Sequence, residues 1–442
     1  MLKGRNSKWL MLGMVIVLLL PLLLACGEEG DGTPTIKLGI GYPKSTEPGM
    51  NGIHMAEMAA EEINEAGGVD VGGVMHDIEL VIADTNEMAS GADAAAAVER
   101  LISVNGIDFF IGTNTSDGAL PVMEVLADQK MLGIISTSST DATQKIHDKY
   151  DTYKYVFTSQ FSPTHSLFTM IAQVLMIGNE LRAQTKIEVP KVALVFQKGP
   201  AYDPVVPALK IMLPKFNFEV IGDWRPDPNA VDLTAELQDI QASGAQIILQ
   251  AISGSASIVI SRQWGELEIP AVLGGINFIG GETFWDATGG YCNYQVQVSS
   301  AQGGVAVTPK TIPFMEKLVE KYGEAPAVGV FTYDMVYVLA DAIERAGTLD
   351  KDAVIVALED TDYTGAFGRW AFYGLEGEGN THRMKEGPGY VFFNDIQWRD
   401  GKLVCVWPDG NPVPGYDGWE GVRFEGTQDF VLPPWVITEW NK

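Results

Sequence analysis

The chain has 442 residues and a formal charge of −27, with 57 acidic against 30 basic side chains. That length exceeds what one hydrophobic core serves, so two lobes are expected, and the acidic balance excludes a nucleic-acid binder, which needs a basic surface. The three cysteines make no disulfide framework, and the five scattered histidines (His54, His76, His147, His165, His382) support neither a metal site nor a catalytic triad.

The chain opens on a targeting segment. Lys3, Arg5 and Lys8 precede an apolar run over residues 9–24 that ends in Leu23-Leu24-Ala25-Cys26-Gly27. The run is short for a spanning helix and closes on small residues, so residues 1–25 read as a secretory signal. Leu-Leu-Ala-Cys resembles a bacterial lipoprotein signal, which implies cleavage before Cys26 and a diacylglycerol on its thiol. Residues 26–34 follow as an acidic linker. No later stretch is apolar and long enough to span a bilayer, so the mature chain is expected outside the cytoplasm, lipid-anchored to the outer face of the cell membrane. With Cys26 consumed, Cys292 and Cys405 remain, and both a bridge and two free thiols stay open.

The mature chain begins with a strand over 36–41. A loop over 42–51 carries Pro43, Pro48 and Gly49, and a helix over 55–64 stops at Gly67-Gly68. A strand over 78–84 and an Ala-rich helix over 93–103 come next, the helix placing Ala95, Val98, Leu101 and Ile102 on one face. Two similar units follow. The apolar run 107–111 leads into Gly112-Thr113-Asn114-Thr115-Ser116-Asp117-Gly118, and 131–135 leads into Ser136-Thr137-Ser138-Ser139-Thr140. Each apolar run reads as a buried parallel strand and each polar run as the turn into a helix. Two such turns at the carboxyl ends of neighbouring strands aim hydroxyls and free N–H groups into one crevice, where open α/β sheets bind ligands. Helix N-termini there favour a negative group. The plainer account of the same Ser and Thr residues is helix capping. The order β-α-β-α-β-α-β implies a parallel, doubly wound sheet.

A second series repeats that logic. A connecting strand over 155–160 and a helix over 166–177 lead to strands over 191–196, 218–222, 245–251 and 271–275, with helices between them and a last loop through Asn277 and Glu282. The chain from 296 returns to the first lobe through helices over 311–322 and 330–346, and a third connection is expected at 363–369. Residues 389–398 and 402–407 read as an antiparallel hairpin turned at Asp400-Gly401. The tail 408–442 is expected to wrap a lobe with Trp419, Phe430 and Trp435 as anchors. The lobes are then 35–157 with 296–365, and 158–295 with 366–407.

Several quoted segments carry a family resemblance. They are Glu61-Glu62-Ile63-Asn64-Glu65-Ala66-Gly67-Gly68-Val69, Asp84 closing a strand, and Ile111-Gly112 with its hydroxyls. Ile135-Ser136 before Ser139-Thr140, and Phe331-Thr332-Tyr333-Asp334 opening a helix, complete the set. In order and spacing, residues 36–405 resemble the type I periplasmic substrate-binding proteins of the leucine/isoleucine/valine-binding family, the receptors of ATP-driven importers. The resemblance implies an α/β fold of two doubly wound Rossmann-like lobes joined by three crossover segments. It implies a monomer without cofactor or metal that closes on a small polar solute, a branched-chain or other amino acid, and hands it to ABC permease subunits. By position, Ser116, Ser138 and Thr140 match the first-lobe residues that hold the α-carboxylate and α-ammonium, with Thr115 and Ser139 beside them and Ser138 acting through its carbonyl. Tyr202 matches a covering aromatic of the second lobe. The acid that would meet the ammonium falls at 275–277, where this chain has Gly275-Ile276-Asn277, leaving Asn277 or, from a different loop, Glu282. A buried ammonium needs a partner, so an amide, a urea or another small solute stands as an alternative, as does a sensing subunit for a signalling receptor. No Gly-x-Ser-x-Gly elbow, Walker A pattern or His-Glu-x-x-His motif suggests an enzyme.

Overall fold

Two parallel sheets with the same strand order organise the chain. In the computed structural model, residues 33–198, 202–252, 255–277, 281–374 and 381–442 are described, without the side chains of Asn277, Gly281 and Glu282. The signal segment, Cys26 and all but the end of the linker lie outside the described residues. Thr35–Lys442 form one unit.

The first sheet comprises β1 (Thr35–Tyr42), β2 (Val69–Val71), β3 (Val74–Asp84), β4 (Phe109–Gly112), β5 (Gly133–Ile135) and β6 (Val156–Thr158), in the order β2-β3-β1-β4-β5-β6. All neighbours are parallel except the β2–β3 hairpin, which the sequence reading lacks. Gly72 (φ 64°) and Gly73 (φ 93°) make its turn, a pair of left-handed conformations that glycine adopts without strain. The second sheet comprises β7 (Lys191–Phe196), β8 (Glu219–Trp224), β9 (Ile247–Ile252) and β10 (Val272–Asn277), ordered β10-β9-β7-β8. In both sheets the opening strand lies between its successors, so the winding reverses beside it, at β1/β4 and at β7/β9. Crevices for ligands form at such reversals. The central strands are buried on both faces, which explains their unbroken apolar runs.

Helices α1 (Glu47–Glu65), α2 (Gly91–Ser103), α3 (Ser116–Gln129) and α4 (Thr140–Asp148) belong to the first sheet. Helix α1 starts earlier than the proline-bearing loop suggests. Thr46 caps it by accepting from Gly49 N at 3.2 Å, and Pro48 falls in the first turn, where its missing N–H costs nothing.

The remaining strands are β11 (Val296–Ser299), β12 (Tyr363–Thr364), β13 (Arg369–Trp370), β14 (Asn394–Arg399) and β15 (Lys402–Trp407). β11, β14 and β15 form an antiparallel sheet, with Asp400 (φ 50°) and Gly401 (φ 81°) turning the β14–β15 hairpin as read from the sequence. At 363–369, where a connection is expected, the chain makes the small β12–β13 hairpin. Buried Asp334 holds it, accepting from Ala366 N (2.7 Å), Phe367 N (2.9 Å) and Trp370 Nε1 (2.7 Å). Cys292 and Cys405 are buried free thiols, so there is no bridge between them. In the tail, Trp419 lies under Phe392 and Trp407, and Trp435 packs 5.5 Å from Trp264 and donates to Ile269 O at 3.0 Å.

Candidate functional site

The two Ser/Thr turns leave β4 and β5, which are adjacent. At the reversal point β1 and β4 approach so closely that a Cβ on Gly112 would sit 2.2 Å from Gly41 O. Thr113 then takes φ 68°, a costly conformation for a β-branched residue. Two bonds hold it there: its hydroxyl donates to Ser136 O (3.1 Å) and accepts from Ser136 N (3.2 Å). The first turn is thus stapled to the second.

Below the first turn lies Glu87, buried just after β3. Its carboxylate accepts from Asn114 N (2.6 Å), Thr115 N (2.8 Å) and Thr85 Oγ1 (3.0 Å). A Cβ on Gly118 would stand 2.7 Å from the Cβ of Glu87, so the glycine makes room for the acid. Burial pushes the carboxyl up from its ordinary range, against the pull of the amide bonds.

The hydroxyls divide by role. Thr115 Oγ1 accepts from Gly118 N (3.1 Å) and Ser139 Oγ accepts from Asp141 N (3.2 Å), so these two hydroxyls cap α3 and α4. Thr137 Oγ1 donates to Ser116 Oγ at 3.1 Å, which brings the two turns together. A cavity of about 370 Å³ opens beside the second turn. Thr137, Ser138, Ser139 and Thr140 form one side, Ser162 to His165 another, and Tyr373, Thr381, Arg383, Glu386 and Tyr416 close it. Glu386 accepts from Ser162 N (2.8 Å) and Ser162 Oγ (2.5 Å) and pairs with Arg383, whose guanidinium lies 5.0 Å from the Tyr373 ring centre.

On the other wall, Tyr202 is buried with its ring 5.9 Å from that of Phe196, and it does not line this cavity. Burial holds its phenol well above the ordinary value. Asn277 ends β10 opposite Ile252. Its side chain and that of Glu282 fall outside the described residues. Sequence reasoning missed Glu87, Thr137, Arg383, Glu386 and Tyr416 as parts of the site. The Ser/Thr run contained the signal for Thr137; the other four come from distant segments with no local mark.

The family profile described as periplasmic binding protein matches residues 35–391. Among curated relatives, Leu/Ile/Val-binding protein homolog 7 of Brucella suis is 26% identical over 395 residues, covering 86% of this chain and 92% of that one. Among solved structures, a branched-chain amino acid transporter substrate binding protein, LivJ of Streptococcus pneumoniae, in complex with isoleucine, superposes with a TM-score of 0.67 at 20% identity, covering 84% of this chain and 99% of that one. A solute binding protein from R. palustris in complex with benzoate gives a TM-score of 0.65 at 18% identity, covering 84% and 95%. The matching strand order of the two sheets, the profile and these neighbours agree: the chain belongs to the periplasmic binding protein family, in its type I leucine/isoleucine/valine-binding branch.

Proposed function

We propose that this chain captures a small solute bearing a carboxylate, foremost a branched-chain amino acid, between its two lobes and delivers it to an ABC importer. The observation that carries this reading is the junction of the two turns through Ser116 and Thr137, with Ser138, Ser139 and Thr140 facing a cavity. Hydroxyls and the first N–H groups of α4 suit an anion, since charge-assisted bonds are the stronger ones. Isoleucine and benzoate, the molecules bound in the two neighbours, share a carboxylate on an apolar body, and benzoate has no ammonium. In this chain the acid at the cavity, Glu386, is already engaged by Ser162 and Arg383. The carboxylate end of the solute is therefore better supported than an ammonium end, and amides or ureas stand as the alternative. The family works outside the cytoplasm, and among the described residues no helix is long and apolar enough to cross a membrane. In this proposal Cys26 carries the lipid anchor, the protein acts as a monomer without catalysis, and the lobe boundaries are those read from the sequence.

The test is a thermal-shift screen of the mature chain with L-leucine, L-isoleucine, L-valine, benzoate, acetamide and urea. A ligand at a hundred times its Kd stabilises the folded state by about 2.7 kcal/mol. Ser116→Ala with Thr140→Ala is expected to weaken binding of the responding compound by about a hundredfold, since hydrogen bonds to charged groups contribute about 1.5–3 kcal/mol each. Ligand-free melting should change little. Undiminished binding by the double variant would place the cradle elsewhere.

A further inference from the structure

We propose that the C-terminal tail supplies a ligand-binding residue, Tyr416, whose hydroxyl donates into the cavity toward an oxygen of the solute. This rests on reading the cavity as the solute site. The family profile stops at residue 391, so the contribution comes from outside the part of the chain that it covers.

Local chemistry places the residue. Val413-Pro414-Gly415-Tyr416 closes a tight turn, with Tyr416 N donating to Val413 O at 2.9 Å and Gly415 at φ 81°. Proline second and a left-handed glycine third are what a type II turn requires. The turn lays the Tyr416 ring on the helix Pro163–Gln184, 5.0 Å from Phe168 and edge-on to His165 at 5.7 Å. The cavity wall there is the first turn of the same helix.

The direction of the phenol's proton follows from His165. That ring is buried, stacked 4.5 Å from Phe161, and bonded at both nitrogens. Phe393 N points at Nε2 at 3.4 Å. A backbone amide can only donate, so Nε2 is the bare nitrogen and Nδ1 carries the proton. Nδ1 lies 2.5 Å from Tyr416 Oη, so the imidazole donates and the phenol accepts. Burial holds the imidazole neutral by pushing it down to about 3. The phenol keeps its own proton to give, and among the described residues no acceptor bonds it. Tyr416 faces the cavity together with Ser138 and Thr140. A neutral O–H donor in one cavity with a row of Ser/Thr residues fits a carboxylate or carbonyl oxygen, as the proposed solute class requires.

The experiment titrates L-isoleucine and benzoate calorimetrically into the mature chain, its Tyr416→Phe variant and the Ser116→Ala/Thr140→Ala variant. Tyr416→Phe keeps the ring on Phe168 and is expected to weaken binding about tenfold. It also leaves the buried His165 N–H without its acceptor and lowers ligand-free melting, so the titrations are run well below both melting temperatures, where each protein is folded. In parallel, the wild-type chain carrying [13Cζ]tyrosine is titrated with the same probes. The Tyr416 resonance, assigned by its loss in Tyr416→Phe, should move on binding. Binding lost in the Ser/Thr variant but unchanged in Tyr416→Phe would overturn the tail's role and spare the functional reading, as would a Tyr416 resonance that stays put while ligand binds. No binding of either probe to the wild-type chain would overturn the carboxylate reading and the tail's role with it.

Discussion

The carboxyl edge of the first sheet and the antiparallel sheet β11–β14–β15 both bury polar side chains, but the former leaves one hydroxyl, Thr158 Oγ1, without a partner where the latter leaves several groups. At the first, Glu87, Thr113 and Thr137 are bonded within the turns they support. At the second, Asp395 takes one bond from Gln173 Nε2 at 2.8 Å. Its other oxygen, Gln173 Oε1, Gln297 Oε1, Ser299 Oγ and both amide atoms of Gln295 are buried without a partner among the described residues. An unsatisfied buried group costs about 1–3 kcal/mol. The two Ser/Thr turns are thus bonded to each other where the solute is proposed to sit, and most of the unsatisfied groups gather around the strands that follow the second sheet. Preorganised donors at the first edge need no rearrangement to meet a ligand.

Three changes would break or sharpen that contrast. The largest effect is expected at Glu87. Glu87→Ala strands the N–H groups of Asn114 and Thr115 and should destabilise the chain by about 3 kcal/mol in urea unfolding, whereas Glu87→Gln keeps the acceptor and should lose far less. Equal stability of Glu87→Ala and wild type would mean the turn needs no anchor.

The next effect is in pH dependence. His165 is held at about 3 against an ordinary 6.5, so between those values the unfolded chain binds a proton that the native one does not. Its contribution to stability is complete above pH 6.5 and lost as pH falls toward 3. Asp395 shifts the other way: burial pushes its carboxyl well above 3.8, so the native chain binds the extra proton. That contribution is present at pH below 3.8 and lost as pH rises through the native value. Asp395→Asn should therefore gain stability relative to wild type as the pH of urea unfolding is raised from 5 to 9. A parallel pH profile for both proteins would remove Asp395 from the list of strained groups.

The smallest effect tests capping. Ser139→Ala should cost about 1 kcal/mol of stability through the start of α4. A loss of affinity well beyond what Ser116→Ala produces would instead make that hydroxyl a ligand group.

Much of the architecture was legible. Apolar runs ended by Ser/Thr turns announced β4 and β5, and the Asp400-Gly401 pair announced the β14–β15 hairpin. The capping account of those turns holds for two hydroxyls, Thr115 and Ser139, while Ser116 bonds across to Thr137 and joins the turns. The β2–β3 hairpin has no mark in the sequence reading, which passes from the helix stop at Gly67-Gly68 to a strand at 78–84; the Gly72-Gly73 pair is the signal that could have found it. Helix α1 begins inside the proline-bearing loop read over 42–51 because Pro48 sits in the first turn, where a helix accepts one.

Local patterns determined which segments became strands, turns and helices, because burial on two faces or an exposed hydroxyl beside a free N–H is a property of neighbouring residues. Spatial arrangement alone decided which strand follows which across each sheet. It also set Glu87 beneath an amide 27 positions away and Tyr416 against an imidazole 251 positions away. Those pairings depend on where independently formed pieces come to rest against one another, and no window along the chain contains both partners.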